Sequence, residues 1–187
     1  MKKKSTVAGV VVMVLLILLA LPLGVHTSFT RLREEVAWDF YGDNAGFAIY
    51  DSIETREDAA HNMVTIAEKY TSQYPQLVDL ASELEYWATA SERSYSDTYQ
   101  EEAEANRQMS AAAQALYQEL RSVQLEERDL IYPDQLMAQM ESEQDKIDRA
   151  SYNDEARAYN EKLSAFPVNL LGKLGGVSPM GVFAQEE

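Results

Sequence analysis

A long apolar run lies close to the start of the sequence, directly after Lys2, Lys3 and Lys4. Residues 5–25 form an uncharged stretch of 21 residues that is dominated by valine and leucine. As an α-helix rising about 1.5 Å per residue it is about 31 Å long, which matches a hydrocarbon core about 30 Å thick. The run therefore predicts a membrane-spanning helix, and residues 1–27 are expected to form an N-terminal membrane anchor.

The same run is also compatible with a cleaved signal peptide, which begins with basic residues as well. A signal peptide, however, has a shorter apolar core of about 7–15 residues and small residues ahead of its cleavage site. Here the run is longer, and the best cleavage candidate is the poorly matching Val25-His26-Thr27. We therefore expect an uncleaved, single-pass anchor.

The basic residues on either side of the run indicate its orientation. Three lysines, at positions 2–4, precede the run. Arg31 and Arg33 follow it, and two glutamates stand directly after them. Because Lys and Arg are enriched on the cytoplasmic side of a membrane span, the N-terminus is predicted to be cytoplasmic and the rest of the chain extracytoplasmic.

Charge and cysteine content exclude several kinds of function. Of the 16 Lys and Arg residues, 13 lie after Lys4 together with all 31 acids, so this part carries a formal charge of −18. Such an acidic body repels nucleic acid, and no nucleic-acid partner is expected. The chain has no cysteine, which excludes a disulfide framework, a thiol nucleophile, lipid attachment through cysteine and a Cys-type zinc site.

Apolar residues recur at steps of three and four through most of the remaining chain, as in helices that bury one face. One such stretch covers residues 44–74 and stops at Pro75, which suits the first turn of a new helix. Residues 76–127 contain no Gly or Pro to mark a break, so they form one long helix or two; we favour one long helix whose polar middle overhangs solvent. The last helix follows a turn at residues 131–134 and ends before Pro167.

These spacings lie close to 3.5 residues, the period of a coiled coil or left-handed bundle. Together with a juxtamembrane helix around residues 32–40, they predict an all-α fold. Its N-terminal transmembrane helix is followed by an antiparallel bundle of three to four long helices at residues 28–167. No convincing two-residue alternation occurs, so strand content should be near nil. Residues 168–187 form an apolar, Gly-containing C-terminal tail.

The last third of the chain resembles a known family. It contains the doublets Tyr152-Asn153 and Tyr159-Asn160, seven residues apart, followed by FPVNLL at residues 166–171. This combination is similar to the C-terminal signature of the LemA family. Residues 56–70, REDAAHNMVTIAEKY, resemble the central Arg-rich segment of the same family. The resemblance implies a membrane-anchored helical bundle of bacterial origin, with no established catalytic activity and no catalytic residues to transfer.

Candidate metal and catalytic residues are few. Asp58 and His61 share a helical face, but a di-iron bundle needs a second Glu-x-x-His unit, and the only other histidine is His26. His61 is therefore interpreted as a lone surface residue. The acidic clusters at residues 101–104 and 141–145 lack the turn glycine of a calcium loop and are interpreted as solvated helix faces. No P-loop, nucleophile-elbow or zinc-protease motif occurs. We expect no catalytic, cofactor-binding or metal-binding residues.

The tyrosines and the tail suggest packing instead. Tyr152 and Tyr159, one heptad apart, are expected to face a neighbouring helix with their hydroxyls at its rim. Asn153 and Asn160 are expected to form hydrogen bonds across helices. The apolar residues 168–187 should dock on the bundle itself, on the bilayer or on a partner. We favour docking on the bundle because Phe166-Pro167 turns the chain back.

The sequence thus predicts a membrane-anchored, non-enzymatic bundle that acts as an interaction or scaffolding module, without a cofactor. Its expected partners are the membrane, through residues 5–25, and an unidentified protein. The alternative is an extracytoplasmic bundle that senses a ligand. An enzyme is the least favoured reading, because no catalytic constellation is recognisable.

Overall fold

The fold is taken from a computed structural model, which describes residues 2–42, 46–93 and 98–185, with side chains from residue 9 onward. It confirms the all-helical class, since the described residues contain helices, turns and extended loops but no strand. The helices are α1 (Lys2–Tyr41), α2 (Ile49–Glu68), α3 (Gln76–Glu92), α4 (Gln100–Ser122), α5 (Tyr132–Asp148), α6 (Ser151–Ser164) and α7 (Val168–Leu174).

Helix α1 is one continuous helix of 40 residues, in which Pro22 causes no break. The prediction of a separate juxtamembrane helix around residues 32–40 is therefore wrong, because these residues continue the helix that contains the apolar run. The two halves of α1 differ in environment. Large apolar side chains between residues 10 and 23 are exposed, whereas Phe29, Val36 and Phe40 are buried in the core. The second half of α1 is thus part of the folded body.

The long helix predicted over residues 76–127 is two antiparallel helices, α3 and α4. Residues 94–97, within the polar stretch expected to overhang solvent, lie outside the described residues. Directly before α4, Tyr99 adopts a left-handed backbone conformation with φ of 54°, so the chain reverses without Gly or Pro. The reversal places Leu77 and Leu84 of α3 in the same core as Met109 and Leu116 of α4.

The last predicted helix also divides, into α5 and α6, at Ala150. Ala150 is extended, with φ of −67° and ψ of 136°. The side-chain amide of Asn153 donates to the carbonyl oxygens of Ile147, at 2.6 Å, and Ala150, at 3.5 Å. These bonds add a side-chain donor to two carbonyls at the break, which also accept from the backbone N–H groups of Ala150 and Asn153. The predicted helix at residues 44–74 corresponds to α2, and residues 43–45 lie outside the described part.

The apolar core has two parts. Helices α2 to α5 form a four-helix bundle around Met63, Leu77, Leu84, Leu116 and Met140. The second part joins the distal half of α1 to α6, the C-terminal residues and the adjoining ends of α2 and α5. Its largest fully buried side chains are Phe40, Ile49, Tyr152 and Phe183. The body therefore consists of a bundle with a second layer that connects it to the apolar helix.

A clamped C-terminal segment and an open groove

Residues 177–185, here called the C-terminal segment, are extended and lie against α6. Met180, Gly181, Phe183 and Ala184 are buried there. The prediction that the tail docks on its own bundle is therefore confirmed for the C-terminal segment, whereas Leu170 and Leu174 of the same tail are exposed. Gly181 is required by a close approach, because an added Cβ would lie 2.2 Å from the carbonyl oxygen of Tyr99.

The two Asn side chains of the repeated Tyr-Asn doublet bind the backbone of this segment. Asn160 accepts a hydrogen bond from the Met180 N–H at 2.7 Å and donates to the Met180 carbonyl at 2.8 Å. Asn153 accepts from the N–H groups of Phe183, at 2.9 Å, and Ala184, at 3.0 Å. Seven helical residues and three extended residues both span about 10 Å, which explains the heptad spacing of the doublet.

The Tyr members of the doublet pack against α1 and bind the same segment. Tyr152 makes an edge-to-face contact with Phe40, and Tyr159 makes one with Phe29. Their hydroxyls donate to the carbonyls of Gly181, at 3.0 Å, and Ser178, at 3.3 Å. The predicted packing against a neighbouring helix is confirmed. The expected position of the Tyr152 hydroxyl at the rim is wrong, since Tyr152 is buried and burial raises its pKa.

The Asn prediction is also corrected, because the chief partner of both amides is the extended C-terminal segment rather than another helix. A two-residue repeat on one helix therefore acts as a clamp that recognises main-chain groups. Main-chain hydrogen bonds specify little about side chains, so selectivity for the sequence of the segment rests on the buried side chains of Met180 and Phe183.

A chain of buried polar groups connects the bundle to this clamp. Arg56 of α2 is 1% exposed and donates to the side-chain oxygens of Asn106 and Ser110 on α4. The amide of Asn106 donates to the Gln144 carbonyl oxygen of α5 at 3.1 Å. Gln144 in turn donates to the Phe183 carbonyl oxygen at 3.2 Å. One hydrogen-bonded path thus runs through α2, α4 and α5 to the C-terminal segment.

Burial lowers the pKa of Arg56 to about 10, although Asp148, Glu57 and Glu143 oppose that shift. Arg56 therefore stays cationic near neutral pH. Its Nε is buried and has no hydrogen-bond partner among the described residues. A buried donor of this kind is costly unless something reaches it.

Arg56 lies at the floor of an open groove of about 1390 Å3 between α4 and α5. Arg107 and Gln114 line its α4 side, and the part-exposed Met137 supplies apolar surface. On the α5 side the groove is lined by three acids, Glu141, Asp145 and Asp148. Val182, Ala184 and Gln185 close one end, so the clamped segment forms part of the groove wall. We call this the α4–α5 groove.

Two carboxyl groups lie inside the bundle instead of on a solvated face. Glu57 of α2 and Glu102 of α4 are each 8% exposed. Burial raises the pKa of Glu57 to about 7 and that of Glu102 to about 8. A neighbouring acid raises each pKa further: Glu92 acts on Glu57, and Glu57 acts on Glu102. The interpretation of residues 101–104 as fully solvated is therefore wrong at Glu102. In the second acidic cluster, Glu143 is only part-exposed, while Glu141 and Asp145 are exposed.

His61 is not the lone surface residue that was predicted. Its Nδ1 lies 2.8 Å from an oxygen of Glu85 and its Nε2 lies 3.0 Å from an oxygen of Glu92. Burial opposes the charged imidazole, but the two carboxylates outweigh it and raise the pKa of His61. The arrangement connects α2 to α3. Among the described residues, no group of three or more His, Asp or Glu side chains is placed to hold a metal ion.

His26, the other histidine, lies at the end of the apolar run. Its Nδ1 donates to the Gly175 carbonyl at 2.8 Å, since a carbonyl oxygen can only accept. The tail is thus also attached to α1.

Sequence reasoning missed the buried polar residues, although their spacing carried a signal. Arg56 fills the one gap in the apolar stripe that runs through Ile49, Ile53, Ala60 and Met63. Glu102 and Asn106 continue the stripe of Met109, Ala113 and Leu116 in the same way on α4. A polar residue at a core position of a regular stripe predicts a buried polar network.

The fold and the clamp define a class of protein: an all-helical bundle on a long apolar N-terminal helix, with its own C-terminal segment bound across the second layer. The chain belongs to the LemA family, whose family model matches residues 47–187. The match covers the chain from the start of α2 onward, while α1 lies entirely before it. No curated protein and no solved structure matches the chain.

Proposed function

We propose that this protein is a membrane-anchored, non-enzymatic binding module that receives a segment of a partner protein in the α4–α5 groove. The observation that carries the proposal is the open groove itself, which reaches from the surface to the buried Arg56. Family membership supports a membrane-associated helical protein. The groove supplies a place where such a protein can bind.

The anchor part of the proposal is supported by the exposure of α1. Within residues Gly9–Tyr41 the most apolar window has a mean hydropathy of 2.6, and none of that window is buried in the protein. Exposed Leu16, Leu19 and Leu23 would be costly in water, whereas a bilayer covers them. Because the distal half of α1 is core, the body is held directly against the membrane rather than on a flexible linker. We place the N-terminus in the cytoplasm and the body outside.

The chemistry of the groove indicates the kind of partner. Its α5 wall presents Glu141 and Asp145 one helical turn apart, and both are exposed. The part-exposed Met137 provides an adaptable apolar surface between the walls. An amphipathic helix with basic residues on its rim would complement this surface. The net charge of the whole chain, −15, also favours encounter with a basic partner.

Photo-crosslinking in membranes tests the proposal. A crosslinking residue at Gln114, in the groove, should form an adduct with a partner protein, whereas one at Tyr86, on the exposed side of α3, should not. Replacing Glu141 and Asp145 with Lys should abolish the adduct. The matched control replaces Asp79 and Glu83, two exposed acids with the same spacing on α3, and should leave the adduct unchanged. Loss of the adduct in both pairs, or equal adducts from both positions, would contradict a groove-specific partner.

The second candidate function is sensing of a small ligand, and the unpartnered Nε of Arg56 is the observation that favours it. A small carboxylate or phosphate entering the groove could accept from this donor. Thermal unfolding of the full chain in detergent, with inorganic phosphate and simple carboxylates added singly, distinguishes the two. A saturable rise in melting temperature that Arg56→Lys removes would favour the sensor. No rise would favour the protein partner.

A further inference from the structure

Helix α7 is held beside the last turn of the apolar run on α1. The Gly175 carbonyl that follows α7 accepts the hydrogen bond from His26. At the same place an added Cβ on Gly175 would lie 2.9 Å from the Pro22 carbonyl oxygen, so only glycine permits the close approach. Residues 5–25 end between these two contacts. The position of α7 along α1 is therefore the boundary of the proposed membrane span.

Two large apolar side chains of α7, Leu170 and Leu174, are exposed one helical turn apart, and Phe166, just before the helix, is exposed as well. The exposed fraction is 84% for Phe166, 58% for Leu170 and 69% for Leu174. The opposite side is packed, because Gly172 is buried and an added Cβ there would meet the Leu163 side chain at 2.8 Å. Lys173 is exposed beside Leu174. The element is thus a short amphipathic helix, and its apolar stripe, formed by Leu170 and Leu174 with Phe166 beside them, is not covered by the described residues.

We propose that α7 is a second membrane contact, lying in the bilayer interface beside α1 with Phe166, Leu170 and Leu174 among the lipid chains. The inference rests on the proposed anchoring by α1. Lipid is the expected occupant because the stripe lies at the same height along α1 as the end of its exposed apolar face, where Leu23 is 65% exposed. A span of about 31 Å reaches the edge of a hydrocarbon core about 30 Å thick at this turn.

The chemistry of the stripe suits an interface. Lys173 can extend its charged end to the lipid phosphates while its stem stays with the apolar side chains. A helix of seven residues would bind lipid weakly by itself. Because α7 is attached to the anchor, its contact with lipid would be intramolecular. The attachment raises the effective concentration of α7 at the bilayer surface. The C-terminal segment begins directly after α7, so α7 also fixes where the clamped segment starts.

The absence of cysteine allows each position to be probed with one introduced thiol. We would label the full chain with a nitroxide at Leu170→Cys, Leu174→Cys, Leu19→Cys or Val78→Cys and reconstitute it in phosphatidylcholine–phosphatidylglycerol vesicles. Collision rates with oxygen, which concentrates in lipid, and with a water-soluble nickel chelate then report the surroundings. Leu19 serves as the anchor control, and exposed Val78 on α3 as the water-facing control. Positions 170 and 174 should resemble position 19 and differ from position 78.

The contrary outcomes can be told apart. If position 19 is in lipid but positions 170 and 174 collide mainly with the nickel chelate, the inference about α7 is overturned and the anchor stands. If position 19 also faces water, both the anchor and the α7 contact are overturned. If positions 170 and 174 face water in pure vesicles but are shielded from both reagents in native membranes, the stripe binds a protein instead of lipid.

Discussion

Asn153 connects three parts of the chain through one buried side chain. Its oxygen accepts from Phe183 and Ala184, and its amide nitrogen donates to Ile147. The conformation of the C-terminal segment and the break between α5 and α6 therefore depend on the same residue. Asn is suited to this role because its amide offers an acceptor and two donors at one point.

Asn153→Ala should lower the free energy of unfolding by about 2–4 kcal/mol, because two buried N–H groups lose their acceptor. Urea unfolding of the full chain in detergent measures the change. Asn62→Ala is the matched control, since Asn62 is exposed on α2 and should change stability by less than about 0.5 kcal/mol. Equal, small effects of the two substitutions would mean that Asn153 does not hold the segment.

Glu102 predicts a pH dependence of stability. Its pKa is raised from 4.5 to about 8, chiefly by burial, so the folded state keeps a proton that the unfolded state releases. The stabilisation contributed by protonated Glu102 should therefore be complete below about pH 4.5 and should be lost as the pH rises to about 8. Glu57 and His61, whose pKa values are also raised, act in the same direction.

Glu102→Gln removes this ionisation, so its stability should fall less steeply between about pH 4.5 and 8 than that of the unmodified chain. Unfolding in urea at a series of pH values measures the two slopes. Glu101→Gln, at the exposed neighbouring position, should keep the slope of the unmodified chain. Identical slopes for the two variants would show that Glu102 is not protonated in the folded state near neutral pH.

At the scale of elements, the sequence predicted helix type and apolar faces better than helix ends. Its stripes placed Met140, Ile147 and Leu163 in a core, and all three are buried. The breaks before Gln100 and at Ala150 were missed because neither contains Gly or Pro. Both rest on tertiary contacts: α3 and α4 share one core, and the Asn153 amide stabilises the end of α5. Such contacts have no local signature.

The sequence predicted only one side of the clamp, for a similar reason. The Tyr-Asn doublets were identified as a motif, and their heptad spacing placed them on one helix face. Their partners, Met180 and Phe183, lie in an extended segment whose register depends on the path that α7 imposes. Periodicity describes helices and strands, and this segment is neither. The buried Arg56 was overlooked because a single charge in an apolar stripe resembles an ordinary interruption.

At the scale of the whole molecule, α1 joins the apolar run, which we propose spans the membrane, to the folded body in a single helix. Its distal half carries Phe29, Val36 and Phe40 into the second layer. Gly175, directly after α7, contacts α1 at Pro22 and His26. Under the proposed anchoring, a body attached in this way would have a restricted orientation on the membrane. The α4–α5 groove, which the C-terminal segment closes at one end, would then be presented to partners from a restricted direction as well.

The central claim, that a retained anchor holds this body outside the cytoplasm, is tested most directly by accessibility of introduced cysteines. Val78→Cys, on exposed α3, should react with a membrane-impermeant maleimide in intact spheroplasts. Lys3→Cys should react only after lysis, and the mass of the membrane-bound chain should include residues 1–27. The reverse labelling pattern would contradict the orientation, and a mature chain beginning near Thr27 would contradict the anchor.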